Sequence, residues 1–167
     1  MELTSPAFEN HQWIPQRYTG AGENVSPPLR WSGEPKGCKG FAIVCEDPDA
    51  PRRVGSDKPF IHWIVYNISA NVSALPEGIL PQDRVLIPVS LDQGVNSFGK
   101  LGYGGPFPPI GHGTHRYHFR LYALQAPLGI PPGADYWAFR EALKNHVMKT
   151  TELVGLYERE AGRIAVV

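Results

Sequence analysis

Short runs of apolar residues, rich in β-branched and aromatic side chains, recur along the chain between groups of turn-forming residues. Runs of roughly four to eight such residues predict β-strands. The expected strands are Phe41–Cys45, Ile61–Ile68, Val85–Ser90 and Tyr117–Leu124, with Leu153–Tyr157 as a weaker one. Because these strands do not alternate with helices, the pattern favours a mainly β sandwich over an α/β fold.

One later segment has the periodicity of an amphipathic helix. Its apolar positions are Tyr136, Phe139, Leu143 and Val147, which fall on one helical face. They follow Asp135, a residue type that caps helix N-termini. We therefore predict a helix over about residues 135–148, packed against a sheet by its apolar face.

The strand that ends at Leu124 is expected to start at His115 and to have two unlike faces, because side chains alternate along a strand. One face holds His115, Tyr117, Phe119, Leu121 and Ala123, and the other holds Arg116, His118, Arg120 and Tyr122. The first set is apolar beyond its first two members. His115 and Tyr117 should therefore point towards the core.

Length and composition limit the classes of protein to consider. The 167 residues, 42% of them apolar, suit a single domain over residues 1–167. Sixteen basic and sixteen acidic residues give a net charge of zero, which argues against a nucleic-acid partner. There is no transmembrane run and no secretory signal, so we expect a cytoplasmic protein with two reduced cysteines, Cys38 and Cys45.

Three nearby histidines raise the question of a metal site. His112, His115 and His118 could in principle ligate zinc. However, His115 and His118 are an odd number of positions apart in a strand and should emerge on opposite faces. We therefore expect no bound metal, and separately we expect no cofactor.

Two further polar elements lie at or within the predicted strands. Asp47 and Asp49 are separated by Pro48, and this short segment is either a hydrogen-bonded turn or a pair of positioned carboxylates. His62 lies within an apolar strand, where it is either a core histidine or part of a site. A buried imidazole needs a hydrogen-bond partner, and the two aspartates are the obvious suppliers.

A segment rich in glycine and proline, Gly102–Pro109, precedes the strand that begins at His115. Glycines let the backbone approach a ligand and offer N–H groups to an anion. The segment lacks the Gly-Lys-Ser/Thr ending of a P-loop. It therefore suggests a cradle for a small anion, although the loop alone is weak evidence.

Six motifs together carry a resemblance to a known family. In order, they are Ser5–Phe8, Asn24–Trp31, Asp47–Pro51, His62–Trp63, Gly104–Pro109 and His115–Phe119. Their identity and order resemble the phosphatidylethanolamine-binding protein family over nearly the whole chain. The chain looks most similar to the compact bacterial and archaeal branch, which is also called Raf kinase inhibitor-like.

This resemblance implies a β-sandwich built on a large antiparallel sheet, with an anion pocket at one end. By motif, the implied ligand-binding residues are Asp47, Asp49, His62, Gly105, Pro106, His115 and Tyr117. In the glycine-rich segment, Pro108 or Pro109 could take the place of Gly105 and Pro106 as the wall. We expect the two histidines to donate to anion oxygens, one of the aspartates to orient an imidazole, and binding to weaken at high pH.

The expected function is binding of a small anion such as phosphate or phosphoryl-ethanolamine. By resemblance alone, such binding could modulate a kinase or a protease. The alternative is a hydrolase that acts on a phosphoester or an amide, although the chain has no G-x-S-x-G motif. Exposed aromatic residues could support a homodimer. Arg52, Arg53 and Lys58 are expected to form a mostly solvated basic loop.

Overall fold

A computed structural model describes residues 1–51 and 56–161, so Arg52 and Arg53 of the expected basic loop lie outside the described residues. The strands are β1 (Glu2–Thr4), β2 (Gln12–Trp13), β3 (Leu29–Ser32), β4 (Gly40–Asp47), β5 (Phe60–Ser69), β6 (Ala74–Leu75), β7 (Arg84–Val85), β8 (Leu91–Gln93), β9 (His115–Leu124) and β10 (Val147–Tyr157). A 3₁₀ helix covers Gln16–Tyr18, and the α-helix α1 covers Tyr136–Leu143.

The strands form two sheets. Seven strands make the larger sheet, in the order β2-β10-β9-β4-β5-β8-β7, and β1, β3 and β6 make the smaller one. All paired strands are antiparallel except β2, which runs parallel to β10. The expected mainly β sandwich with a large central sheet and one late helix is therefore confirmed.

The large sheet is buried on both faces, and strand β4 shows why. Phe41, Ile43 and Cys45 belong to the core between the two sheets. Ala42 and Val44 alternate with them and belong to a second core, which includes Phe139 of α1. The continuous apolar run Phe41–Cys45 of β4 suits this arrangement, because both faces of the strand meet apolar partners there.

Strand β9 has the two faces that its alternation predicts. Its burial pattern alternates from His115, with the inward positions buried and the outward ones exposed or half-buried. Tyr117 and Phe119 lie in the core between the sheets, where each is at most 1% exposed. The alternation therefore brings His115 and Tyr117 inside the molecule at the start of the strand.

The helix is shorter than the expected range of about 135–148. Asp135 caps it as predicted, because its side chain accepts a hydrogen bond from the Ala138 backbone at 2.8 Å. The helix ends at Leu143, and Asn145 has a left-handed backbone with φ of 66°. Val147 therefore starts β10 instead of extending the helical face. Among the residues with described structure, no helix is long and apolar enough to cross a membrane.

The predicted strand Val85–Ser90 is largely wrong. Only Arg84–Val85 is strand there, and pairing resumes at Leu91–Gln93. Leu86 and Ile87 are 70% and 80% exposed, so the apolar run that suggested a strand faces solvent. Pro88 follows them and lacks the N–H group that a sheet ladder requires.

Candidate functional site

A cavity of about 280 Å³ lies where β4, β5 and β9 come together at one end of the large sheet. Its lining comprises Asp47, Ala50, Pro51, Phe60, His62, Phe98, Phe107, Pro108, Pro109, His115 and Tyr117. Four of the seven predicted site residues are thus gathered around one hollow: Asp47, His62, His115 and Tyr117. They come from three different strands.

An irregularity in β5 aims His62 into this hollow. Trp63 pairs with Cys45 of β4, and Ile61 pairs with the next residue, Glu46, so His62 has no partner across this edge. This is the signature of a β-bulge, which re-aims side chains and is frequent beside functional sites. The bulge turns His62 to the face of the sheet that holds the cavity.

His62 is a buried and neutral imidazole. Its Nδ1 lies 2.5 Å from the carbonyl oxygen of Gly104. Because a carbonyl only accepts, Nδ1 carries the proton and Nε2 is left as an acceptor. Burial lowers the pKa of His62 from 6.5 to about 4, against the opposing effect of that carbonyl. At neutral pH the ring therefore accepts at Nε2, which differs from the expectation that it donates to an anion.

Asp47 combines both roles that its sequence context suggested. One carboxylate oxygen accepts from the backbone N–H of Asp49 at 2.8 Å, which closes the turn. The other lies 2.6 Å from His115 Nδ1, and the two side chains are only 3% and 1% exposed. Asp47 is therefore the carboxylate that orients an imidazole, as expected for one of the two aspartates.

The Asp49 carboxylate pairs with Arg116. It accepts two hydrogen bonds from the Arg116 guanidinium, at 3.0 and 2.8 Å, and one from the Arg116 backbone at 2.9 Å. The Arg116 side chain holds the pKa of Asp49 down at about 2. Asp49 is not among the residues that line the cavity. It attaches the Asp47–Asp49 turn to the start of β9.

Tyr117 lies between the two histidines of the cavity. Its ring centroid is 5.1 Å from that of His62 and 6.4 Å from that of His115. Burial raises the pKa of Tyr117 far above its ordinary value, so the hydroxyl keeps its proton at neutral pH. Tyr117 can therefore offer a hydrogen-bond donor to a ligand.

The glycine-rich segment supplies the wall of the cavity through its prolines. Gly105 donates its N–H to Asn24 Oδ1 at 2.7 Å, and the carbonyl of Pro106 accepts from the Gly20 backbone at 2.9 Å. These bonds anchor the segment, and neither residue lines the cavity. Pro108 and Pro109 do line it, which matches the alternative placement considered for the wall.

Three phenylalanines line the cavity: Phe107 belongs to the glycine-rich segment, whereas no sequence motif pointed to Phe60 and Phe98. Phe60, Phe98 and His62 are in mutual contact, with ring centroids 4.9–5.6 Å apart. The Phe107 ring lies beneath the guanidinium of Arg159, with 3.8 Å between the ring centroid and Arg159 Cζ. Phe60 could have been suspected, because it lies two positions before His62 at the start of the same strand. Phe98 lies in a loop, and only the tertiary structure reveals it.

Of the three histidines considered for a metal, His115 and His118 lie on opposite faces of β9, as the strand period predicts. His115 faces the cavity, whereas His118 lies on the other face of β9 and contacts Glu152, with His118 Nδ1 3.1 Å from Oε2. Within residues 1–51 and 56–161, no group of three or more His, Cys, Asp and Glu side chains is arranged to hold a metal ion. His112 instead contacts His115, with 2.5 Å between Nδ1 and Nε2.

A second, larger hollow adjoins the first. It measures about 550 Å³ and shares Phe98 and Phe107 with the cavity. Gly104 and Gly105 also line this second hollow, so Gly105 faces it and not the cavity. The glycine-rich segment therefore separates two concave surfaces.

The polar chemistry of the cavity is unusual for an anion site. Within the described part of the chain, its lining contains one carboxylate and no lysine or arginine. The other polar groups that line the cavity are the Tyr117 hydroxyl, which donates, His62 Nε2, which accepts, and His115, whose Nε2 contacts His112. Such a site suits a small ligand that carries both hydrogen-bond donors and acceptors.

Comparison of the sequence with protein families identifies one match over most of its length. The sequence model of the phosphatidylethanolamine-binding proteins matches residues 4–158. A UPF0098 protein of Pyrococcus horikoshii is 45% identical over 156 residues, which cover 93% of this chain and 76% of the relative. A UPF0098 protein of Methanothermobacter thermautotrophicus is 44% identical, with 95% of this chain and 99% of the relative covered.

Solved structures agree with the sequence comparison. A phosphatidylethanolamine-binding protein homologue from Chlamydia trachomatis superposes with a TM-score of 0.82 at 40% identity, covering 95% of this chain and 97% of that one. Escherichia coli YbcL, a member of the mammalian family of these proteins, gives a TM-score of 0.85 at 32% identity, covering 95% and 98%.

Proposed function

Because the chain belongs to the phosphatidylethanolamine-binding protein family, we propose that it binds a small phosphorylated anion in the cavity lined by His62, His115 and Tyr117. The observation that carries this proposal is the convergence of these three side chains and Asp47, from three strands, around one hollow of about 280 Å³. The ligand class is that of inorganic phosphate or phosphoethanolamine.

The size of the cavity favours a headgroup over an intact lipid. Pockets that enclose drug-sized molecules measure roughly 300–1,000 Å³. A hollow of about 280 Å³ is at the lower end and suits a phosphoryl group with a short substituent. The acyl chains of a lipid would have to lie outside it.

The donors and acceptors of the site select the protonation state of the ligand. His62 accepts at Nε2, because its Nδ1 donates to Gly104. Asp47 brings a negative charge, which would repel a dianion. A phosphoryl group that retains one proton can donate that P–OH to an imidazole nitrogen and accept from the Tyr117 hydroxyl. The site therefore favours the protonated monoanion.

This preference makes binding depend on pH. The second ionisation of a phosphomonoester lies at about pH 6. As the pH rises above this value, the protonated form disappears and the affinity falls. We expect the affinity for phosphoethanolamine to drop by more than about tenfold between about pH 5.5 and pH 8.5, as measured by isothermal titration calorimetry.

Sulfate is the matched control, because it has the shape of phosphate but holds no proton in this pH range. We expect sulfate to bind weakly at every pH. Equal affinity for sulfate and phosphate would contradict the role of the P–OH group. Absence of saturable heat with both phosphate and phosphoethanolamine at about pH 5.5 would overturn the proposed function.

Hydrolysis of a phosphoester or an amide has less support. Asp47 and His115 resemble the oriented base of a hydrolase, but no serine, threonine or cysteine lines the described cavity to act as a nucleophile. A turnover assay with phosphoester and amide substrates tests this alternative, with His115→Ala as the control.

Two finer parts of the function extend the proposal. Modulation of a kinase or a protease would use the same cavity, so saturating phosphate should block capture of such a partner in a pull-down. A cytoplasmic location suits the two free cysteines, Cys38 and Cys45, which would stay reduced there.

A further inference from the structure

His115 is the cavity residue with no free ring nitrogen. Its Nδ1 lies 2.6 Å from Asp47 Oδ2, and its Nε2 lies 2.5 Å from His112 Nδ1. The His115 side chain is only 1% exposed. A ligand in the cavity can reach His115 only at Nε2, because Asp47 holds the other nitrogen. That atom already has a partner from the chain itself.

The protons of the hydrogen-bonded series Asp47, His115 and His112 can be assigned. An ionised carboxylate only accepts, so His115 Nδ1 donates to Asp47. In the neutral His115 ring, Nε2 is then an acceptor, and His112 donates its Nδ1–H to it. The P–OH of a bound phosphoryl group would donate to the same lone pair. His112 thus makes the hydrogen bond that the ligand would make.

The segment around His112 allows the His112 side chain to move away from His115. His112 is exposed and lies between two glycines with left-handed backbone, Gly111 with φ of 78° and Gly113 with φ of 86°. Apart from the adjacent residues of the chain, no described heavy atom lies within 4 Å of where a Cβ would stand at either glycine. The backbone on both sides of His112 therefore lies in open space, and rotation of the His112 side chain would not disturb the core.

We propose that His112 is an internal occupant of the anion site, which covers His115 Nε2 in the free protein and is displaced when a phosphoryl group binds. This inference rests on the proposed function. It assigns His112 the role of setting the affinity of the site by competition, without contacting the bound anion.

Two variants at one position test the competition. His112→Ala removes the competing donor, whereas His112→Asn places an amide nitrogen where the imidazole Nδ1 was and so keeps a donor. The measurement is the affinity for orthophosphate by calorimetry at about pH 6. We expect His112→Ala to bind roughly threefold to tenfold more tightly than the wild type, the change that follows from losing one competing hydrogen bond. His112→Asn should bind like the wild type.

A second measurement separates competition from a structural effect. In the free wild type, the Nδ1–H of His112 should exchange slowly with solvent in imidazole ¹⁵N–¹H spectra, and saturating orthophosphate should make that exchange fast. Neither change is expected from a residue that only supports the loop.

The outcomes distinguish this inference from the proposed function. If the wild type binds orthophosphate and His112→Ala binds equally well or more weakly, the competition is wrong, and weaker binding would make His112 a ligand of the anion. An Nδ1–H signal that stays slow at saturation also overturns it. If neither protein binds orthophosphate or phosphoethanolamine, the proposed function fails, and the competition fails with it.

Discussion

Strand β9 provides the histidines of two histidine–carboxylate pairs. These histidines are three residues apart and lie on opposite faces of the strand. On the cavity side, His115 and Asp47 are 2.6 Å apart and almost fully buried. On the other side, His118 and Glu152 are 3.1 Å apart, and the Glu152 side chain is 45% exposed. The residue types are similar, and the surroundings differ.

The difference shows that burial raises the energetic cost of losing one partner of a polar pair. Glu152 is about half exposed to solvent, and its Oε2 also lies 3.3 Å from Arg120 Nε. Loss of the His118 contact would leave that carboxylate satisfied. Asp47 is 3% exposed, and its carboxylate accepts from His115 Nδ1 and from the Asp49 backbone N–H. The buried pair can therefore be expected to matter for both stability and binding.

The largest effect should follow from truncating the buried carboxylate, with the half-exposed carboxylate as its control. Asp47→Ala leaves the buried His115 Nδ1 and the Asp49 N–H without partners, and should destabilise the protein by about 2–4 kcal/mol. Glu152→Ala, on the half-exposed face, should cost less than about 1 kcal/mol. Urea unfolding at about pH 7 measures both. Equal losses would show that the two pairs are energetically alike.

A comparable effect is expected from acid, through His62. Because the pKa of His62 is about 4 in the folded protein and 6.5 in the unfolded chain, the unfolded chain binds more protons between these values. The stability from His62 is thus complete above about pH 6.5 and is lost as the pH falls to about 4, by roughly 3 kcal/mol.

Replacing His62 should remove this part of the acid sensitivity. His62→Asn keeps a donor for the Gly104 carbonyl but cannot take up the proton, so its stability should fall less steeply from about pH 6.5 to pH 4. Unfolding free energies across this range provide the measurement. A wild-type slope in His62→Asn would refute the assignment.

The smallest effect should come from a single hydroxyl. Tyr117→Phe removes the donor that faces the cavity, and should weaken phosphoethanolamine binding by about tenfold at about pH 6, because hydrogen bonds to charged groups are worth about 1.5–3 kcal/mol. Tyr122→Phe makes the same change on the other face of β9 and should leave the affinity unaltered. Calorimetry on both variants compares the two faces directly, and similar affinities would exclude Tyr117 as a ligand.

Much of the fold was predictable from local pattern. The alternation along β9 placed His115 and Tyr117 inside, and the structure confirms it. The strand predicted over Val85–Ser90 was largely wrong. The apolar run there has the composition of a strand, but its proline prevents regular strand pairing. The helix was extended too far because Val147 continued its apolar spacing, although the chain turns at Asn145. Strands of two to four residues in the small sheet were too short to predict.

The titratable residues of the site were predictable from the sequence, but the contacts that each of them makes were not. Asp47 and His62 were suspected because polar residues interrupt apolar strands. The divergence of Asp47 and Asp49 was not predictable, because it depends on Arg116, which lies 67 residues from Asp49 in sequence. The contact of His112 with His115 likewise depends on how the loop after Pro109 returns to β9.

By itself, the sequence determined which residues could be buried together, because strand alternation and apolar composition act between near neighbours. It also determined the family, through six short motifs in a set order. Only the tertiary structure decided which nitrogen of each imidazole faces the cavity. That outcome depends on a bulge in β5, a carbonyl from the glycine-rich segment and a carboxylate from β4, all contacts between residues that are far apart in the chain.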